Sequence, residues 1–193
     1  MTKVAIVYHS GYGHTKLQAE AVRDGAAEAG AEVTLLTAEE GQARLQELEG
    51  MDAIVFGAPT YMGSASAPMK AFMDATSKPW SEQKWKDKVA GGFSNSSSPS
   101  GDKVNTLQGF AILAAQHGMI WVGQGEPNQT ASPDWSGKDT DAINRLGGYL
   151  GPFAQSENAA PGPDNPPKGD IETAKMYGAR VAKAAMRWGR GAA

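Results

Sequence analysis

There is no cysteine among the 193 residues, which excludes disulfides, a thiolate nucleophile and thiolate metal ligands. Histidine is nearly as scarce. His9, His14 and His117 show no metal-ligand spacing, and no carboxylate cluster accompanies them, so no metal is expected. Charge of one sign is also lacking: 18 Lys and Arg against 21 Asp and Glu leave a formal net charge of -3. That balance argues against a broad basic footprint for nucleic acid and is too small for a strongly acidic docking surface. No apolar run exceeds strand length, so no membrane-spanning helix is expected. Residues 1–8 enter an apolar strand directly, without the small-residue cleavage site of a signal peptide. A cytoplasmic setting is therefore the expectation, and any redox chemistry would need a bound cofactor.

What is present suffices for a core. With 40% hydrophobic and 20% charged residues, the chain is expected to form one α/β domain over 1–193. Short apolar runs at 4–8, 32–36, 53–57, 89–93 and 119–122 are apolar at successive positions, which suits strands buried on both faces of a parallel sheet. Between them lie helical patterns at 15–29, 44–49, 68–76, 103–117 and 170–188. Repeated βα units predict a parallel sheet with helices on both faces, a three-layer sandwich. The stretch 123–169 is too long for an ordinary connection, and 149–154 has strand character. An insertion at 124–148 that splits the last strand would explain both. It would serve as a solvated loop, a cover for the sheet edge or a wall of an active site.

After the first strand comes Ser10-Gly11-Tyr12-Gly13-His14-Thr15, leading straight into a helix. Two glycines let successive N–H groups converge, two hydroxyls add donors, and the helix start adds positive potential. The spacing does not fit a Walker A loop, and Lys16 stands where a dinucleotide fingerprint needs its third glycine. A cradle for a terminal monophosphate remains, with a simple capped turn as the alternative. His14 is assigned contact with the phosphate region and no proton transfer. In a parallel sheet, ligands sit beyond the carboxyl ends of the strands. The third strand ends in Gly57-Ala58-Pro59-Thr60-Tyr61-Met62-Gly63-Ser64 and the fourth in Ser94-Asn95-Ser96-Ser97-Ser98-Pro99-Ser100-Gly101. Both loops should share an edge with the first.

These segments, together with His117-Gly118-Met119, resemble the motifs of WrbA-type NAD(P)H:quinone oxidoreductases and of the neighbouring NADPH-dependent FMN reductases of the flavodoxin superfamily. The resemblance spans nearly the whole chain. It implies a flavodoxin-like fold, a five-stranded parallel sheet in order 2-1-3-4-5, with FMN as cofactor and NAD(P)H as electron donor. Carried over by position, Ser10, Tyr12, Gly13, His14 and Thr15 would surround the FMN phosphate. Pro59, Thr60, Tyr61, Met62 and Gly63 would line the isoalloxazine, and Ser94, Asn95, Ser96, Ser97, Ser98 and Gly101 its pyrimidine edge. His117 matches a histidine of the family's flavin site and is a candidate proton donor to a reduced quinone. Tyr12 and Trp80 would border the nicotinamide and substrate pocket. The third-strand loop reads Thr60-Tyr61-Met62 where WrbA-type proteins usually have Thr-Arg-Phe.

The activity implied is ping-pong hydride transfer to a quinone or related acceptor, by a homo-oligomer, dimer or tetramer. The alternatives are a flavodoxin-type electron carrier, an FMN reductase that releases reduced flavin, and a non-catalytic binding module. Among the remaining conspicuous residues, Trp121 and Trp188 are expected in the core, and Trp135 over the site or in a subunit contact.

Overall fold

Side chains alternate across a strand, and that alternation sets the layering in the computed structural model, which describes residues 1–131 and 138–190. The strands are β1 (Lys3–Tyr8), β2 (Glu32–Thr37), β3 (Ala53–Tyr61), β4 (Ser64–Ala65), β5 (Val89–Ser96), β6 (Ile120–Trp121) and β7 (Phe153–Gln155). The helices are α1 (His14–Glu28), α2 (Ala38–Ala43), α3 (Leu45–Leu48), α4 (Ala67–Ala75), α5 (Ser77–Ser81), α6 (Lys103–Gln116) and α7 (Lys168–Arg190). On one face Ala5, Val7, Ile54 and Phe56 pack with Phe72 of α4, with Leu107 and Phe110 of α6, and with Trp85. On the other, Val4, Ile6, Ala53 and Val55 meet Ala19 and Val22 of α1 and Tyr177 and Val181 of α7. Both faces are dry, which is why these strands read as continuous apolar runs.

The sheet runs β2-β1-β3-β5-β6, with β7 also on β5. β6 pairs parallel with Val89 and Ala90, and β7 pairs parallel with Ser94–Ser96. Two separate pieces thus occupy the fifth position, as the expected interruption requires. The gap between them leaves β5 at Gly92 paired with β3 on one side and with no strand on the other. There the buried Tyr177 hydroxyl accepts from the Gly92 N–H at 3.0 Å and donates to the Val122 carbonyl at 2.7 Å. A side chain from α7 completes the ladder where the strand is cut.

Helices α1 and α7 cross in close contact. A Cβ on Gly25 would overlap the Lys175 carbonyl, and one on Gly178 would overlap that of Val22, so only glycine allows this approach. Two strands run further than their apolar patterns. β3 continues through Pro59, Thr60 and Tyr61, and β5 through Ser94, Asn95 and Ser96, in register Ala58↔Ser94 and Pro59↔Asn95. Polarity at these positions suggested loops; Thr60, Ser94 and Asn95 are instead buried, with their side chains hydrogen-bonded. A short helix at 38–43, not expected, is set by a capping box in which Thr37 and Glu40 exchange hydrogen bonds.

Two tryptophans depart from expectation in different degrees. Trp121 is half-buried against the first core face, with its indole N–H on the Leu150 carbonyl at 3.0 Å. Trp188 is 50% exposed, near the end of α7. Trp135 lies outside the described residues. Among the described residues no helix is long and apolar enough to cross a membrane.

Candidate functional site

The carboxyl ends of β1, β3 and β5 open onto a cavity of about 740 Å³, within the range of small-molecule and cofactor sites. Its first wall is the turn from β1 into α1. Gly13 caps the helix at φ 94, a left-handed conformation that favours glycine. The Ser10 Oγ accepts from the N–H groups of Gly13 and Lys16, each at 3.1 Å, which leaves its own O–H free to donate. The N–H groups of Tyr12, His14 and Thr15, and the Thr15 hydroxyl, have no hydrogen-bond acceptor among the described residues. Thr15 is nevertheless buried. No lysine or arginine lines the cavity among the described residues. This wall is a set of unpaired donors at the positive end of a helix.

The second wall is the end of β3 and its hairpin into β4. Met62 at φ 47 and Gly63 at φ 82 form the two-residue turn between Tyr61 and Ser64. The Asn105 side chain donates to the Gly63 carbonyl at 2.6 Å and holds the tip. Met62 is fully exposed, Tyr12 is 75% exposed, and Tyr61 stands edge-on to Tyr12 with centroids 6.3 Å apart. Together they make an apolar rim. Beneath it, Thr106 donates to Thr60 (2.7 Å), Thr60 to Ser94 (2.8 Å), and Ser94 to the Ala58 carbonyl (2.8 Å). That relay is why polar residues can end two buried strands.

The third wall is the loop after β5, with Ser96, Ser97, Ser98, Gly101 and Asp102 on the cavity. Its carbonyls are taken up by hydrogen bonds from elsewhere in the chain. Ser156 N–H donates to the Ser96 carbonyl at 3.1 Å, and the Gln155 amide to that of Ser97 at 3.1 Å. The buried Lys103 ammonium donates to the Ser98 and Pro99 carbonyls at 2.8 and 2.9 Å, and to Ser96 Oγ at 2.9 Å. Burial pushes the Lys103 ammonium down to about 8, partly opposed by Asp170.

A fourth wall, residues 156–161 after β7, was not foreseen at residue level. His14 Nε2 donates to the Ala159 carbonyl at 2.9 Å and so ties the wall to the first loop. Asn165 holds it from behind, accepting from Glu157 N–H at 2.9 Å and donating to the Ala160 carbonyl at 3.1 Å. Nothing in the sequence 156–161 marks it as a wall; the strand character of 149–154 was the one available signal.

Of the residues expected at the site, Ser10, Tyr12, His14, Thr15, Pro59, Thr60, Tyr61, Met62, Gly63, Asn95, Ser96, Ser97, Ser98 and Gly101 all line this cavity. Gly13 shapes the first loop from outside the lining, and Ser94 lies wholly buried beneath it. Two expectations are corrected. His117 follows α6 and precedes β6, so it sits at the edge where strands begin, opposite the cavity. It is buried, stacked on Trp85 with centroids 4.4 Å apart. Since the Thr76 hydroxyl donates to the Met73 carbonyl, His117 Nε2–H donates to Thr76 at 2.9 Å, and Nδ1 is left without a partner among the described residues. Burial lowers its pKa to about 4. Trp80, on α5, is 47% exposed and is likewise outside the cavity lining. Chain direction is the reason in both cases: α4, α5 and α6 carry the chain back from the site.

Comparison with known proteins follows the same lines. Residues 2–132 match the family model described as NADPH-dependent FMN reductase. The chain is 44% identical over 186 residues to "Flavodoxin FldP" of Pseudomonas aeruginosa, covering 95% of this chain and 96% of that protein. It is 32% identical over 210 residues to an "NAD(P)H dehydrogenase (quinone)" of Archaeoglobus fulgidus, covering 97% and 99%. The crystal structure of a flavodoxin, WrbA-like protein from Agrobacterium tumefaciens superposes with a TM-score of 0.73 at 42% identity, over 97% of this chain and 99% of that one. These likenesses bear out the flavodoxin-like fold.

Proposed function

The chain belongs to the NADPH-dependent FMN reductase family, and from that premise we propose that it is an FMN-dependent NAD(P)H oxidoreductase whose acceptor is a quinone or a similar small molecule. The carrying observation is the first wall. Unpaired N–H groups of Tyr12, His14 and Thr15, with the free hydroxyls of Ser10 and Thr15, meet at the start of α1. That donor set fits a phosphate monoester, held by main-chain dipoles without a cationic side chain. When bound, FMN supplies the chemistry, accepting hydride from the nicotinamide and passing two electrons to the acceptor.

The protein's own part is to bind, orient and screen. The rim of Tyr12, Tyr61 and Met62 offers an apolar surface to a flat ring system, and Tyr12 at the mouth is the residue assigned to the nicotinamide. Asn95, held by Ser156 at 3.0 Å, and the loop at 96–101 give the far end a polar lining. No side chain forms a covalent bond. Support for a quinone acceptor comes from relatives named for that substrate. An electron carrier is the second reading, favoured by the relative named as a flavodoxin.

The test is spectroscopic. Purified protein mixed with FMN should show a perturbed flavin spectrum, NADPH added anaerobically should bleach it, and benzoquinone should restore it. Failure to take up FMN overturns the proposal, whereas a bound flavin that NADPH leaves unbleached makes the protein a carrier.

A further inference from the structure

Lys103 is a buried cation with no carboxylate in ion-pair distance among the described residues. The neighbouring carboxylate, Asp170 of α7, is already engaged by Arg145 at 2.8 and 2.9 Å and by the Gln155 N–H at 2.9 Å. All three Lys103 donors end on neutral oxygens: the Ser98 and Pro99 carbonyls and the Ser96 hydroxyl. Nζ also lies 5.6 Å from the centroid of the Phe153 ring. A buried charge without a counter-ion is costly unless something else present in the working protein repays it.

The loop geometry says where that compensation would come from. In a trans peptide the carbonyl and the N–H of the next residue point in opposite directions. Tying the Ser96, Ser97 and Pro99 carbonyls to Ser156, Gln155 and Lys103 therefore turns the N–H groups of Ser97, Ser98 and Ser100 the other way. None of these three N–H groups has an acceptor among the described residues. Ser97 and Ser98 line the cavity. Lys103 is thus behind the one wall that is rich in free amides and distant in sequence from the phosphate cradle.

We propose that Lys103 is the positioning residue for the redox end of the bound flavin: it holds the 96–101 loop with its amides toward the cavity and, by its charge behind that loop, favours the reduced over the oxidised cofactor. This inference rests on the FMN reading given above. An isoalloxazine has one apolar edge and one polar, carbonyl-bearing edge. The apolar rim of Tyr12, Tyr61 and Met62 suits the first, and the amide wall suits the second. Reduction adds electron density to the polar edge, so fixed amides and a cation behind them act more strongly on the reduced form. Lys103 touches neither substrate nor cofactor in this arrangement; it works through the loop.

The experiment is a potentiometric titration of the FMN-loaded protein with dithionite and indicator dyes, on wild type, Lys103→Met and Lys103→Gln. In the wild type the two-electron potential should lie at or above that of free FMN. Both variants should still bind FMN and show a potential lower by about 30 mV or more, a tenfold loss of preference for the reduced form. Lys103→Gln keeps a donor for one loop carbonyl and serves where the Met variant does not fold. Potentials in the variants equal to wild type overturn the inference, as does a wild type that binds oxidised FMN more tightly than reduced. A wild type that binds no FMN at all strikes the functional proposal instead.

Discussion

Lowering the pH from 7 to 5 should cost the fold about 2 kcal/mol through His117 alone. The ring is buried against Trp85, donates from Nε2 to Thr76, and has no hydrogen-bond partner for Nδ1 among the described residues. Protonation there would put a charge where nothing solvates it, so the folded-state pKa falls from 6.5 to about 4. In the unfolded chain the same ring takes up a proton near its ordinary value of about 6.5. Between those two values the unfolded state holds more protons than the native state, so stability rises with pH across that window and is lost on acidification. The full span amounts to about 3 kcal/mol, and about 2 kcal/mol of it falls between pH 7 and pH 5. Urea denaturation of wild type and His117→Phe at both pH values isolates the effect, because the two proteins differ in this ring alone. Phe keeps the stack on Trp85, gives up the Thr76 bond, and does not ionise. The variant should lose about 2 kcal/mol less than wild type on going to pH 5. Equal losses would refute the assignment of a buried, neutral imidazole.

Three further outcomes follow from single contacts. Tyr177→Phe strands the Gly92 N–H and the Val122 carbonyl in the core, and should lower stability in urea melts at pH 7 by about 2 to 4 kcal/mol. Asp170→Asn breaks the buried ion pair in which Arg145 meets the carboxylate at 2.8 and 2.9 Å; thermal melts should register a loss of about 3 to 5 kcal/mol. Thr15→Val removes a free hydroxyl from the phosphate cradle at almost constant volume, and flavin-fluorescence quenching should report roughly tenfold to hundredfold weaker FMN binding with the melting curve of the apoprotein little changed.

The fold was legible because the strands are buried on both faces, and a doubly buried strand cannot hide its pattern. Legibility ended where polarity was satisfied internally. Thr60 and Ser94 look like loop residues one at a time; joined with Thr106 of α6 in a chain of hydroxyls ending on the Ala58 carbonyl, they extend two strands toward the cavity. Lys103 read as an ordinary first residue of a helix, since no local pattern reveals that its ammonium turns inward beneath the preceding loop. The position of His117 was legible as well. A residue immediately before a parallel strand belongs to the strand-start edge, and the topology already inferred from the sequence placed every ligand at the opposite edge.

The split fifth strand is what gives the cavity its last wall. A continuous strand after Trp121 would run along β5 and lead directly into the final helix. Here the chain leaves the sheet after β6, returns beside Ser94–Ser96 as β7, and emerges at Ser156 already at the carboxyl edge. From that point it can only cross toward the β1 turn. It is fixed there by the His14–Ala159 bond and by Pro161, whose ring lies 2.9 Å from where a Cβ on Gly13 would be. Gly13 is therefore constrained twice, by its left-handed φ and by the returning segment. His14 acts from the same turn as a clasp between sequence-distant walls. The interruption that looks like a defect in the sheet, sealed from behind by Tyr177, is the means by which residues some 145 positions from the first loop reach it.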